Sequence, residues 1–457
     1  MYTYCIERKK IMKLTIKEIL KITQGKLLCG DENKEIKSYS KDTRTIQKGD
    51  CYVGIKGETF DGNNYYEEAR KSGASACILE HFEGTIQDNE TFPMILVEDS
   101  IKAIQRIAAY TREHLNIKVV AVTGSAGKTS TKDAIASVLS KKYKVLKTPG
   151  NLNGQIGLPF NILQYQDEEV LVLEMGMNER GQIDTLSKIA KPDIAVITNV
   201  GTAHIGILGS RENILSAKLE ILNGMSPDGV LIYNGDNDML KTIGELPQKK
   251  ITFGLEETND YRATNISLKN GVTTFQEQDN AYQIPVLGEV FVYNALASIA
   301  VARELGLSTE EIQEGLKNLE MTKDRMQLIH TSKYTILNDT YNANQEAMKS
   351  AIDTLSTFEG RKVAILGDML ELGEYEKEIH EQIGEYLNGK VDLLITIGEI
   401  SKHINKKCNQ ENVHFTTKEE AMEELPKRLK EKDTILVKAS HGLKLGEIVN
   451  FLQNELK

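Results

Sequence analysis

Residues 117–132 read IKVVAVTGSAGKTSTK. Positions 118–122 form a short β-branched run, predicted as a buried parallel strand. The run enters Gly124-Ser125-Ala126-Gly127-Lys128-Thr129-Ser130, and a helix is predicted beyond it, with Ala134, Ile135, Val138 and Leu139 on one face. Strand, glycine loop, Lys-Thr and helix make the layout of a phosphate-binding loop. The glycines let backbone N–H groups converge on phosphate oxygens. The helix N-terminus adds positive potential, Lys128 a mobile charge and Thr129 a hydroxyl for Mg²⁺. Two residues separate the glycines here, against four in the common pattern. A bare GxxGKT also occurs as an ordinary turn, so it is the flanking strand and helix that select nucleotide binding.

Outward from this stretch, the 457 residues suggest two to four domains. The chain is 40% hydrophobic and 27% charged, the balance of a globular protein. A net charge of −10 without a dense Lys/Arg run argues against nucleic acid as partner. No apolar run reaches the ~18 residues of a membrane span. Cys5, Cys29, Cys51, Cys77 and Cys408 are scattered, without CxxC, and read as free thiols of a reducing cytoplasm. No signal-peptide core is seen, and residues 1–11 read as an extension.

Residues 12–110 mix short strands with helices, the first helix predicted over residues 14–23 of a patterned segment that starts at Met12. Asp42-Thr43-Arg44 and Asp61-Gly62-Asn63 sit in polar loops there, and Asp61-Gly62 alone reads as a plain turn. Residues 111–320 alternate apolar strands at 119–122, 170–173, 194–198, 230–233 and 250–253 with helices, which predicts a doubly wound parallel sheet. Asn270-Gly271 signals a hairpin, and Ser308-Thr309-Glu310-Glu311 a capping box. Residues 321–457 repeat the α/β plan with strands at 334–337, 363–366, 393–397 and 434–437.

Ligands of such sheets sit at the carboxyl ends of strands. That rule singles out Glu174, His204 and, in the C-terminal part, Asp339 to Asn344 and Lys438. A carboxylate ending an apolar strand beside a phosphate loop is costly unless it serves a cation, so Glu174 and Thr129 are candidate Mg²⁺ ligands. His204 is a candidate second metal or substrate contact. Lys218, read alone, is a surface lysine on a helix. Asn151 and Asn153 lie in an amide-rich loop suited either to a sugar or phosphate or to a structural turn. From spacing alone ATP could donate its phosphate, drive motion or activate a carboxylate.

The motifs TGSAGKTSTK, TPGNLNGQIGLP, LEMGMNERGQI, TNVGTAHIGILGS, AKLEIL, NDTYNAN, LGDMLELG and LVKAS occur in this order. Together they resemble the Mur ligases, the ATP-dependent enzymes that build the peptidoglycan stem peptide. LGDMLELG and DTYNAN point to the branch that adds D-alanyl-D-alanine. The resemblance spans residues ~38–445. It implies a cytoplasmic α/β enzyme of three domains: a small uridine-side domain, a central phosphate-loop ATPase with a parallel sheet, and a C-terminal Rossmann-like domain. It implies ATP and Mg²⁺ as cofactors, UDP-N-acetylmuramoyl-tripeptide and D-alanyl-D-alanine as partners, a monomer, and an acyl-phosphate intermediate.

By matched position the resemblance makes Lys128, Glu174, His204 and Lys218 catalytic, with Lys218 carbamylated so that a cation becomes a metal-bracing anion. Asn294, Arg325 and Asp339 would contact the nucleotide, Asp339 by holding the ribose or ordering the domain junction. Thr43, Arg44 and Asp61 would serve the uridine-linked substrate, and Asn342, Asn344 and Lys438 the dipeptide or phosphates. The chain departs from the family pattern at Val290-Phe291, where it has His-Asn, and at Thr43, Asn63, Gln345 and residues 440–443. Those departures leave open a ligase of another carboxylate and amine, or a nucleotide-binding module without turnover.

Overall fold

The computed structural model describes residues 12–87, 90–269 and 271–454. Residues 1–11, read as an extension, and Asn270 of the expected hairpin lie outside them. Three large sheets organise the chain. The central one has nine strands and is built around Lys118–Thr123. Val119, Val120, Ala121 and Val122 are fully buried, as a strand covered on both faces by helices requires. It pairs in parallel with Val170–Glu174 on one side and Ile194–Ile197 on the other. Val145–Lys147 lies beyond the first neighbour. Val230–Asn234, Lys249–Gly254 and Tyr261–Lys269 continue in parallel beyond the second. Val272–Glu277 and Asn280–Ile284 close that edge as an antiparallel meander. The direction of winding reverses at Lys118–Thr123, so the crevice at its carboxyl end is the ligand position of a doubly wound sheet.

The N-terminal sheet has five strands in the order Lys26–Cys29, Met94–Leu96, Ala76–Leu79, Asp50–Val53, Ser38–Ser40. The helix predicted over residues 14–23 spans Ile16–Thr23. Thr15 accepts a bond from the Glu18 N–H and forms a capping box, so Leu14–Thr15 stays extended and pairs with Glu35–Ile36. The C-terminal sheet runs Gln327–His330, Thr335–Asn338, Thr434–Lys438, Lys362–Gly367, Leu393–Ile397, Glu411–Phe415, parallel except for the first pair.

One face of the C-terminal sheet has its own core, including Ile336, Val363, Ile395 and Ile435. The other face shares a core with the central sheet, through Met348, Ile352 and Leu355 of the helix Gln345–Ser356. The C-terminal domain is thus seated on the central one by continuous apolar packing. Cys29, Cys51, Cys77 and Cys408 are free thiols. Among the described residues no helix is long and apolar enough to cross a membrane.

Candidate active site

The strand Lys118–Thr123 ends in a glycine loop for steric reasons. A Cβ on Gly124 would lie 1.8 Å from Thr198 Oγ1, and Gly127, at φ +79°, caps the helix Lys128–Leu139 in a left-handed conformation. The Ser125 and Ala126 N–H groups both donate to Asn199 Oδ1, at 3.0 and 2.8 Å. An oxygen acceptor thus sits on the loop amides, the role a phosphate oxygen takes at such a loop. Lys128 Nζ donates to the Gly124 carbonyl at 2.8 Å. Desolvation lowers its pKa, and the Glu174 carboxylate opposes that shift. Thr129 Oγ1 accepts a bond from Arg325 Nη2 at 2.8 Å, and Thr131 Oγ1 donates to Asn294 Oδ1 at 2.9 Å. Ser130 is buried in the same helical turn.

Glu174 ends the neighbouring strand and is buried. Its Oε1 accepts Asn153 Nδ2 at 2.7 Å, and its N–H donates to Thr148 Oγ1 at 3.0 Å. Its Oε2 is buried without a hydrogen-bond partner, with Lys132 Nζ 3.9 Å away. A buried carboxylate oxygen lacking a donor, within electrostatic reach of Lys128 in the phosphate loop, fits Mg²⁺ held jointly with phosphates and water. Among the described residues, no cluster of three His, Cys, Asp or Glu side chains forms a ready metal cage.

Lys218, expected from its residues alone to lie on the surface, is 1% exposed. Desolvation first, and the Lys128 charge second, hold its pKa well below the lysine range, against the pull of Glu346. Burial beside Lys128 thus disfavours the ammonium form of Lys218, the form that cannot be carbamylated. His204 lies at φ +64°, at the start of Ile205–Leu208. Its Nδ1 is 2.8 Å from Glu371 Oε2 of the C-terminal domain, a contact that lowers the Glu371 pKa.

A cavity of about 490 Å³ opens beside Gly127. Asn234, Phe253, Val290, Tyr293 and Asn294 line it from the central domain, and Glu346 and Lys349 from the helix Gln345–Ser356. Tyr293 Oη is fixed by Asp236 Oδ2 at 2.9 Å. Of the two departures at 290 and 291, Val290 faces this cavity while Phe291 packs in the core. The apolar Val290 wall suits the face or edge of a base, whereas a histidine would offer a polar contact.

The C-terminal residues converge on the same place. The Arg325 guanidinium lies 4.0 Å over the Tyr341 ring. Asp339 Oδ1 accepts the Met326 N–H at 3.1 Å, and its Oδ2 takes the Lys438 ammonium at 2.5 Å. Lys438 also donates to the Asn342 carbonyl at 2.9 Å. This buried pair pins the crossing from which Arg325 reaches Thr129. Asn344 caps the helix Gln345–Ser356, and its Nδ2 reaches the Ser125 carbonyl at 3.3 Å. The Asn342 and Asn151 side chains are exposed.

The residues expected to serve the uridine-linked substrate bond only within residues 12–110. Thr43 Oγ1 donates to Glu68 at 2.8 Å. Arg44, its side chain 84% exposed, grips Asp42 through Nε and Nη2 at 2.8 and 2.6 Å. These hydrogen bonds hold the Asp42 carboxyl at about 2. Asp61 accepts both the N–H and Nδ2 of Asn63, at 2.9 and 2.7 Å. Asn63 is buried and takes the Glu80 N–H at 2.8 Å, so it is a tie within the fold. Gln345 occupies the first helical position, where a family proline is also at home, and its amide meets Gln382.

Lys132, Asn199 and Glu371 escaped the reading of the sequence as site residues. Asn199 lies just past the predicted strand 194–198, where the carboxyl-end rule points, but it was given no role. Lys132 carries no such signal: it is 1% exposed and donates to the Thr148 carbonyl at 2.8 Å, tying the 148–153 loop to the site.

Comparison with known proteins completes the picture. The Mur ligase middle domain matches residues 122–302, and the "Mur ligase, glutamate ligase domain" matches residues 324–441. The chain is 39% identical to UDP-N-acetylmuramoyl-tripeptide–D-alanyl-D-alanine ligase of Bacillus subtilis, covering 97% of this chain and 99% of that protein. It is 31% identical to the ligase of the same name from Escherichia coli, again over 97% and 99%. Its structure is similar to that of MurF from Acinetobacter baumannii, with TM-score 0.88, 30% identity and 97% and 99% coverage. It is also similar to MurF ligase from Thermotoga maritima in complex with ADP, with TM-score 0.83, 32% identity and 92% and 97% coverage.

Proposed function

We propose that this chain, which belongs to the Mur ligase family, uses ATP to join D-alanyl-D-alanine to UDP-N-acetylmuramoyl-tripeptide in the cytoplasm. The observation that carries the reading is the buried, half-partnered Glu174 carboxylate facing a lysine-bearing phosphate loop. It lies in a chain similar from end to end to ligases of that name.

A carboxylate is a poor electrophile. Transfer of the terminal phosphoryl group of ATP to the tripeptide carboxylate gives an acyl phosphate and ADP. The dipeptide amine then attacks the acyl carbon, phosphate leaves with the C–O electrons, and the amine proton passes to solvent. Lys128 and the loop N–H groups meet the charge that develops on the transferring phosphoryl. Thr129 and Glu174, with His204 and a carbamylated Lys218 on the second side, are the residues that would hold Mg²⁺, which would neutralise phosphate charge. Asn294, Arg325 and Asp339 serve the nucleotide end, Arg325 through its bond to Thr129. Thr43, Arg44 and Asp61 take the uridine-linked substrate, Asn151 and Asn153 its sugar or phosphate, and Asn342, Asn344 and Lys438 the dipeptide side.

In this reading residues 12–110, 111–320 and 321–457 are the three working domains of a monomer. Mass spectrometry of a reaction containing ATP and both substrates tests it. The expected product is the UDP-linked substrate heavier by one dipeptide minus water. ATP consumption without that product would overturn the proposal.

A further inference from the structure

The helix Gln345–Ser356 belongs to the C-terminal domain, yet its first turn reaches into the central one. There Glu346 Oε1 accepts the Thr202 N–H at 2.9 Å and lies 3.2 Å from Thr202 Oγ1. The seat is shaped for it: a Cβ on Gly201 would fall 2.3 Å from Glu346 Cδ and 2.4 Å from its Oε1. Thr202 and Gly201 belong to the loop that starts at Asn199, whose side chain holds the Ser125 and Ala126 amides. The Gly201 N–H donates to Ser125 Oγ at 2.9 Å. A continuous set of hydrogen bonds therefore runs from Glu346 through Thr202 and Gly201 to the phosphate loop. The same loop ends at His204, which meets Glu371 from the same C-terminal domain. Glu346 also lines the nucleotide cavity, and its charge opposes the fall in the Lys218 pKa.

We infer that Glu346 is a positioning residue: by gripping Thr202 against Gly201 it sets the Asn199–His204 loop, and with it the phosphate loop, only when the C-terminal domain is seated. The domain that brings the amine thereby registers its arrival at the site of phosphoryl transfer. This inference rests on the ligase reading for its kinetic consequence, but the contact itself is a property of the fold. A carboxylate taking a backbone N–H is among the stronger hydrogen bonds, and its loss is worth roughly tenfold or more in an equilibrium. A glutamine keeps the acceptor oxygen and loses the charge.

The test is a double-mutant cycle on Glu346→Ala and Gly201→Ala, with Glu346→Gln as the conservative variant and melting temperatures to confirm folding. Each alanine variant is expected to lower kcat roughly ten- to a hundredfold and to leave KM for the uridine-linked substrate unchanged, because that substrate is bound on another domain. Glu346→Gln should fall between Glu346→Ala and the parent. The double variant should be no worse than the poorer single, since the three atoms nearest a Cβ at 201 all belong to Glu346. Multiplied losses in the double variant, or a parental kcat in Glu346→Ala, would overturn the inference. Small-angle X-ray scattering with a non-hydrolysable ATP analogue separates this outcome from failure of the ligase reading, because it needs no turnover. Glu346→Ala should scatter as a more extended particle than the parent, and identical scattering would again overturn it. A parent that makes no product while the scattering difference persists would instead count against the ligase reading alone.

Discussion

The phosphate loop and the N-terminal loops proposed for the uridine side are both polar turns at strand ends, yet they are held in opposite ways. At the phosphate loop the partners come from far along the chain: Arg325 for Thr129, Asn344 for Ser125, Asn294 for Thr131. On the uridine side two of the three ties span only two residues, Arg44 to Asp42 and Asn63 to Asp61, and Thr43 reaches just to Glu68. The first site is assembled by tertiary structure and is largely out of water. The second is preformed by local turns and open to solvent. Damage at the first should therefore spread through domain packing and chemistry, while damage at the second should stay in the binding of one substrate.

The largest break in that contrast is Lys128→Ala. It removes the charge that meets the transferring phosphoryl group, and kcat for phosphate release should fall by about 10³. A loss below tenfold would sink the phosphate-loop assignment. Lys218→Met should cost about a hundredfold in kcat while raising the melting temperature, because it replaces a desolvated, charge-repelled amine with an apolar chain of similar length. A lower melting temperature would show instead that the native lysine is stabilised there, for instance as a bound carbamate. Direct mass measurement on the intact protein would then settle its modification.

Both variants bear on what the sequence alone could convey. The run at 119–122 and the carboxylate at 174 were legible, because a buried strand and a charge at its end leave marks in any window of a few residues. The capping box at Ser308 was legible for the same reason, and it forms with Glu311. Gln327–His330 and Glu411–Phe415 were not. They are edge strands without a buried residue, whose extended form depends on a neighbour across the sheet. Lys218, read alone, was an ordinary polar helix position, and Lys132 was given no role at all. Their burial comes from parts of the chain distant in sequence, such as Thr148 and Glu174 around Lys132, which local spacing does not record. The motifs shared with the Mur ligases, and not any periodicity, drew attention to Lys218. Glu346 left no signal at all, since its partner Thr202 lies 144 residues away.

On the open side of the contrast, Arg44→Ala should raise KM for the uridine-linked substrate about tenfold by loss of one charged contact. KM for ATP should not move. The exposed Arg44–Asp42 pair should contribute little to stability, so unfolding in urea should hardly shift. Asn63→Ala in the same loop region should differ sharply, costing about 1–3 kcal/mol by stranding the buried Glu80 N–H and Asp61. Equal urea midpoints for the two variants would erase the distinction between the surface contact and the tie beneath it.

The smallest effect is expected at His380, in the C-terminal domain. It is fully buried, accepts the Met369 N–H at 3.0 Å through Nε2 and sits 2.7 Å from the Glu376 carbonyl through Nδ1. Desolvation lowers its pKa, so the folded protein holds it neutral. The unfolded chain binds the proton more readily. This contribution to stability is therefore present above the ordinary histidine value of about 6.5 and is lost as pH falls below it. Melting temperatures between pH 7.5 and 5.5 should fall less steeply in His380→Gln than in the parent, and parallel slopes would remove His380 from the account.

The central claim is that the buried phosphate site activates a carboxylate for attack by an amine. Phosphate release from ATP, measured with each substrate omitted in turn, tests it most directly. Release that requires both UDP-N-acetylmuramoyl-tripeptide and D-alanyl-D-alanine, one phosphate per amide formed, is the predicted result. Release at the full rate with either substrate absent would contradict it.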